Sequence, residues 1–256
     1  MATTTARGET AIRIDPVHRQ TIEVSVLGSS PLIPRRLSEK AARELFLPTG
    51  RKTVADRAAT LKHDPYEEFA QAAPTLDDPE APTYLALTST TFKAAMMEAA
   101  LDIPGARKAQ VGRLVWIEGD YVPVYGIPKL HMAIVRSADQ NRTPDVRTRV
   151  IVPVWGAVFA VTYVVPMLNE VSVLNLIAAA GVTCGVGDYR QQKGKGHFGS
   201  FDVVNADDPV LRSLRETAGR AAQISAMEAA EPYDSEARSM LDWFDVETKR
   251  RGLRTA

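Results

Sequence analysis

The sequence holds a single cysteine, Cys184, among 256 residues. That excludes an internal disulfide framework and suits a reducing, cytoplasmic setting. An excess of charge of either sign is also missing: 31 Lys and Arg face 31 Asp and Glu. A formal net charge of zero excludes a generally basic nucleic-acid binder, so any such surface has to be local. The opening residues, Met-Ala-Thr-Thr-Thr-Ala-Arg-Gly-Glu, lack the charged-then-apolar design of a secretion signal, and 1–20 reads as a flexible N-terminus. There is no internal repeat and no long low-complexity tract. The uncharged stretch from Val150 to Asn169 approaches membrane-spanning length, but Pro153 and Pro166 interrupt it. Its Val, Ile, Trp, Phe, Thr and Tyr suit strands, so it reads as a buried β-hairpin turning at Trp155-Gly156-Ala157, and no membrane association is expected.

What the chain does have is a glycine-dense stretch, Gly185-Val186-Gly187-Asp188-Tyr189-Arg190, continuing through Gly194, Gly196 and His197-Phe198-Gly199-Ser200-Phe201. Five glycines alternate there with Arg190, Lys193, Lys195 and His197. Such backbone turns through positive φ and lets a ligand approach its N–H groups. The cations supply charge for a phosphate chain, and Tyr189 and Phe198 offer rings for stacking. It is not a Walker A loop, because no Ser or Thr follows a Gly-Lys pair. Nor is it a dinucleotide fingerprint, because Arg190 stands at the third glycine position and a strand follows.

Around this stretch the periodicities place elements. Thr21 to Leu27 alternates as a strand, and Ser38 to Phe46 reads as helical. Residues 48–83 form a polar insertion with one short helix. Thr88-Ser-Thr-Thr caps a helix whose Phe92, Ala95, Met96, Ala99 and Ala100 share one face. Arg113 to Val124 reads as a hairpin turning at Glu118-Gly119-Asp120. Lys129 to Arg149, with Arg136, Arg142 and Arg147, reads as a basic, loop-like arm. Asn169-Glu170 opens a second helix that ends with Gly181 at the C′ position. Ser200 to Val204 is the last strand. Leu211, Leu214, Ala218, Ala221 and Ile224 fit one helical stripe, and Met240, Leu241, Trp243 and Phe244 another, so 206–256 reads as a helical appendage to a 21–205 core.

The order β, α, β-hairpin, α, glycine-rich loop, β is that of a ferredoxin-like or RRM-like β-α-β-β-α-β fold, an α+β class. Thr88-Ser-Thr-Thr-Phe-Lys93, with the glycine-rich loop before the last strand, resembles the RAMP superfamily, whose members form the backbone and guide-processing subunits of CRISPR effector complexes. Gly28-Ser-Ser-Pro-Leu-Ile, Asp64-Pro65 with Glu67-Glu68-Phe69, and the Gly-Val-Gly-Asp-Tyr-Arg…Phe-Gly-Ser-Phe loop resemble an uncharacterised group of bacteriophage proteins. One departure is Gln191, where the pattern has proline, so loop geometry is expected to differ.

The resemblance implies a protein of a bacterial host's cytoplasm that binds single-stranded RNA or DNA along its backbone and assembles as a homo-oligomer or filament. Other subunits would dock on the C-terminal helices. In that picture Lys93 adds charge to a helix N-terminus that already favours phosphate, and Arg190, Lys193 and Lys195 grip adjacent phosphates. Arg35, Arg36, Arg136, Arg142, Arg147 and Arg149 supply further backbone contacts. Gly185, Gly187, Tyr189, Gly194, Gly196, His197 and Phe198 shape the binding surface. The plain alternatives are a flexible turn for the loop, solvated lysine and arginine for the cations, and core packing for Phe92, Met96, Met97, Trp116, Trp155 and Cys184.

No cofactor is implied, and His18, His63, His131 and His197 show no metal-ligand spacing. Catalysis is not expected. Were there any, His197 and Asp188 are the candidate acid–base groups of a RAMP-type endoribonuclease. A phage structural protein making only protein contacts is the third reading.

Overall fold

The computed structural model describes residues 16–36, 46, 61–136 and 144–253. The helix expected over 38–46 lies outside these residues except for Phe46, as do 1–15, much of the 48–83 insertion and Arg142.

Strand β1, His18–Gly28, starts three residues earlier than the alternation suggested, inside the stretch read as a flexible N-terminus. Its first residues pair with a later strand, from His18 opposite Val165 onward, which holds them in the sheet along that edge. Helix α1, Pro65–Ala70, is opened by Asp64, whose carboxylate accepts from the N–H groups of Tyr66 and Glu67, with Pro65 in the first turn. Strand β2, Ala86–Thr88, leads directly into helix α2, Ser89–Ala99, which buries Phe92, Ala95, Met96 and Ala99. Helix α3, Lys108–Leu114, precedes β3, Val115–Ile117, and β4, Tyr121–Tyr125.

The turn at Glu118-Gly119-Asp120 is real, with Gly119 at φ +76°. The strands on either side, however, do not pair with each other. Both lie along one edge of strand β7, Gly156–Val165, with Ile117 opposite Val161 and Val124 opposite Ala157. They are two halves of one interrupted strand, because the apolar Val115, Ile117, Val122 and Val124 all gain burial against the helices.

The basic arm is not loop-like. Strands β5, Lys129–Arg136, and β6, Pro144–Ile151, form an antiparallel ribbon in register from Lys129–Ile151 to Arg136–Pro144. Leu130, Met132, Thr148 and Val150 are buried on one face. Of the charges that suggested a loop, Lys129, Arg147 and Arg149 are the alternate positions of the same strands, turned the other way, while Arg136 continues the buried-face row at its exposed end. The expected hairpin between 150 and 169 is likewise corrected. The uncharged run contains the end of β6 and the whole of β7, which belong to different sheets. Its uniform apolarity arises because β7 is central, flanked by β1 on one side and by β3 and β4 on the other.

Helix α4, Glu170–Thr183, is capped by Asn169, whose side chain accepts from the Ser172 N–H at 2.8 Å. Gly181 is not its C′ residue but sits inside it. A Cβ there would lie 2.0 Å from the Phe201 carbonyl oxygen, so glycine is what lets α4 rest on strand β8, Phe201–Val204. The left-handed residue after the helix is Gly185, φ +67°. The sheet order β8–β1–β7–β3/β4 is antiparallel throughout, with β2 on the outer edge of β4. With α2 and α4 packed on one face, this is a ferredoxin-like α+β core carrying insertions and C-terminal helices.

An aromatic spine runs through that core. Phe92 of α2 lies 4.5 Å from Phe159 and 5.8 Å from Phe201, and Trp155 meets Phe201 edge-on at 6.2 Å. Trp155 occupies the β6–β7 connection rather than a strand, fully buried, and donates to the Ser30 carbonyl at 2.9 Å.

The stripe expected as one C-terminal helix is two, α5, Pro209–Thr217, and α6, Arg220–Ala229, broken at Ala218-Gly219. Leu211 of α5 covers the sheet at Gly156, on the face away from α2 and α4. Helix α7, Ser235–Arg250, begins at Asp234, which accepts from the Ala237 N–H, and packs on β5 and α1. The burial of Gln223 ties α6 to the core: its amide accepts from the N–H groups of Tyr84 and Leu85 and donates to the carbonyls of Val124, Gly126 and Ala218. No helix among the described residues is long and apolar enough to cross a membrane.

Candidate nucleic-acid interface

The glycine-rich loop is a folded unit, and its glycines other than Gly194 sit in close approach to backbone. A Cβ on Gly196 would fall 1.6 Å from the Tyr189 carbonyl oxygen, and one on Gly199 would fall 1.8 Å from that of Val186. Gly185, Gly187, Gly194 and Gly199 all take positive φ, as does Tyr189 at +51°, a conformation that costs a side-chain-bearing residue about 1 kcal/mol or more. Gln191, at the position where the pattern has proline, starts a single 3₁₀ turn through Lys193 that ends at left-handed Gly194.

Much of the loop backbone is already bonded. The Val186 N–H donates to Gly199 O, Asp188 to Ile33 O, Gly199 to Pro31 O and Phe198 to Tyr189 O, at 2.8 to 3.2 Å. The Ser200 N–H donates to the Ser30 hydroxyl, and those of Ser29 and Ser30 reach back to the Ser200 carbonyl. The N–H groups of Asp188, Gly199 and Ser200 thus hold the base of the loop against 28–34, and those of Val186, Gln192, Gly194 and Phe198 close the loop on itself. Beside that backbone the loop offers a ligand its side chains.

The structure brings several of the expected residues together. The Asp188 N–H donates to the Ile33 carbonyl, and the exposed Arg35 and Arg36 follow two and three residues on. Arg149 of β6 also reaches the loop. Its Nε lies 3.3 Å from Asp188 Oδ2, and its guanidinium sits 4.7 Å from the Tyr189 ring centroid. The stack fixes the strained Tyr189, which stays 38% exposed, outward of the arginine. Lys195 and His197 are exposed on the loop, with the His197 imidazole stacked on Phe198 at 4.8 Å. Arg149 of the ribbon and Asp188 and Tyr189 of the loop thus form one contact, with Lys195 and His197 exposed farther along the loop.

Others are placed apart. Arg190 is half-buried, with its Nε enclosed and unpartnered among the described residues. Its charge faces Glu98 of α2. The bond from Lys108, opposed by burial and helped by the Lys108 and Arg190 charges and a bond from Gln192, holds that carboxylate below its ordinary range. Arg147 lies near Asp145 at 3.5 Å, farther out along the ribbon, and Arg136 is exposed at its end. Lys93 does not stand at an open helix N-terminus: the Ser89 N–H is taken by the Asp120 carbonyl, and Lys93 lies 5.8 Å from the Trp116 ring. As candidate acid–base groups, Asp188 is ion-paired with Arg149 and His197 is stacked on Phe198. Cys184 is buried.

Two groups of residues were not legible in the sequence. His131, opposite Arg149 across the ribbon, meets Tyr233 edge-on at 5.9 Å and Asp234 at 3.7 Å. Burial pushes its imidazole below the ordinary value, against the pull of Asp234 and helped by Arg149. His63 bonds Glu68 at 2.6 Å and Asp145 at 2.8 Å, fastening α1 to the ribbon. Only pairing partners far along the chain bring these residues together, and no local pattern marks them. Among the described residues no cluster of three or more His, Cys, Asp or Glu is arranged to hold a metal ion.

No protein-family model matches this chain, and no curated protein matches it. Among solved structures it is similar to a chain of one described as "Cryo-EM structure of the Type III-B Cmr-beta bound to cognate target RNA", with 10% sequence identity and a TM-score of 0.36. The similarity covers 73% of this chain and 59% of that one, so the chain spans well under two thirds of that protein's length.

Proposed function

We propose that this protein binds single-stranded RNA or DNA along its phosphate backbone and assembles side by side on the strand, as a RAMP-like protein of phage or CRISPR type. The observation that carries the reading is Arg149. By stacking on Tyr189 and pairing with Asp188 it joins the basic ribbon to the glycine-rich loop in one surface. Arg35, Arg36 and Lys195 flank that surface and are all exposed. In a chain of zero net charge such a local cluster is what phosphate contact requires. Tyr189 and Phe198 supply stacking that tolerates any base. The ribbon, whose outer residues include Arg136 and Arg147, is the arm laid along the strand or against the neighbouring copy. The C-terminal helices offer a docking place for other subunits. Asp188 serves to position Arg149 in this reading, which favours a coat over an endoribonuclease.

The test is binding of fluorescent single-stranded RNA and DNA to nuclease-treated protein across a salt series, with light scattering on the complexes. Affinity should fall steeply with salt, and the complexes should be larger than one subunit. Replacing Arg35, Arg36 and Lys195 together with alanine should flatten the salt slope by roughly two to three, near one per lost phosphate contact. Protein that shifts neither nucleic acid at low salt would refute the reading and favour a structural role through protein contacts.

A further inference from the structure

Far from the loop, at the other end of β1, three elements converge on one indole. Trp116 of β3 lies on the sheet face opposite α2 and α4, in the row Trp116–Thr162–Thr21 that crosses β7 to β1. One pair farther along, Arg19 projects on the same face, and its guanidinium carbon sits 4.9 Å from the Trp116 ring centroid. Lys93 comes from α2, in the layer on the other side of the sheet, around the β3 edge, and its ammonium sits 5.8 Å from the same centroid. Among the described residues neither cation has a carboxylate partner, although charged side chains elsewhere on this molecule are commonly paired. Helix α5 covers this sheet face only at its far end, where Leu211 meets Gly156. Between Arg19 and Trp116 the surface is polar, with the Thr21 and Thr162 hydroxyls hydrogen-bonded at 2.6 Å.

Two cations without an ion-pair partner beside one aromatic ring, bounded on one side by the Glu23 and Glu118 row, make a site for a ligand that is both anionic and flat. We propose that Trp116, Arg19 and Lys93 form a second contact for single-stranded nucleic acid, with a base on the indole and the two cations on the phosphates that flank it. The proposal rests on the nucleic-acid reading above and adds to it a separate contact at the opposite end of the sheet. Stacking of a base on an aromatic ring is stronger than an exposed cation–π contact, so a base can take the place of the guanidinium while Arg19 turns to phosphate. The two surfaces lie at opposite ends of a strand whose Arg19-to-Gly28 segment spans roughly 30 Å. One bound strand therefore runs the length of the subunit.

The experiment uses the full chain carrying Trp243→Phe. Trp155 is fully buried, so the emission that a ligand can reach belongs to Trp116. Titration with an oligothymidylate or oligouridylate is expected to quench that emission. Trp116→Ala should weaken binding by about tenfold and Trp116→Phe by much less, as expected for loss of one stacked base. Arg19→Ala and Lys93→Ala should each lower the salt slope by about one while leaving Trp116 in place. Wild-type binding without quenching, with all three alanine variants binding within about twofold of it, would overturn this contact and leave the loop–arm surface standing. Absence of any wild-type binding would overturn the parent reading instead. Circular dichroism of each variant separates lost contact from lost fold.

Discussion

Replacing Gln223 with alanine tests the tertiary reasoning most sharply. This side chain has no exposed surface and makes five hydrogen bonds, two accepted and three donated, all to backbone groups of other segments. Alanine leaves the N–H groups of Tyr84 and Leu85, and the carbonyls of Val124, Gly126 and Ala218, facing a small void. Each lost bond of this kind costs about 1 kcal/mol, and a buried donor left without partner costs more. Water entering the void recovers part of that. The net expectation is about 3–5 kcal/mol, a large share of the 5–15 kcal/mol that holds a typical domain folded. With a denaturant slope of roughly 3 kcal/mol per molar for a chain of this size, the urea midpoint should fall by about 1 to 1.7 M. Gln110→Ala, exposed on α3, should change stability by less than about 0.5 kcal/mol. A loss under about 1 kcal/mol for Gln223→Ala would show that the amide does not clamp the C-terminal helices to the sheet.

Two further outcomes follow from the geometry. Gly199→Ala places a Cβ 1.8 Å from a backbone oxygen and should dislodge the loop, seen as fast hydrogen exchange over 185–200 with the α2–α4 core still protected. Gly194→Ala meets open space and should cost only the left-handed strain, about 1 kcal/mol. Stability should also depend on His131. Its folded-state value lies below the ordinary 6.5, chiefly through burial, so above that pH the ring is neutral in both states and its contribution is fully present. As pH falls from 6.5 through the lowered folded value, the unfolded chain takes up the proton first and stability is lost. His131→Gln should flatten this part of the stability–pH curve, read by urea melts between neutral and mildly acid pH. Asp234 and Glu236, which face the ring, pull its value up and Arg149 pushes it down, each less than burial does.

How far the sequence could be read depends on the range of the forces involved. Local rules carry the capped start of α4, the alternation of β1 and the buried face of Phe92, Ala95, Met96 and Ala99, because periodicity and capping act within a turn or two of chain, although Thr88 at the start of α2 makes no side-chain cap bond. The element order then specifies the ferredoxin-like arrangement, and the cluster of glycines marks the loop. Pairing is different. Whether Val115–Ile117 pairs with Tyr121–Tyr125 or with β7 is decided by which neighbour buries more apolar surface, and that neighbour is some 45 residues away along the chain. The same holds for the basic arm: its alternating charges describe a loop or one face of a ribbon equally well until Leu130 and Val150 find a core. Composition by itself established that the loop is glycine-rich and cationic. Only the tertiary structure decided that the base of the loop is bonded to 28–34, that Arg149 rather than Arg190 presents charge beside Tyr189, and that Lys93 turns to Trp116. Direction and partnership of a long side chain depend on what the fold sets within about 5 Å of it, which no local pattern encodes.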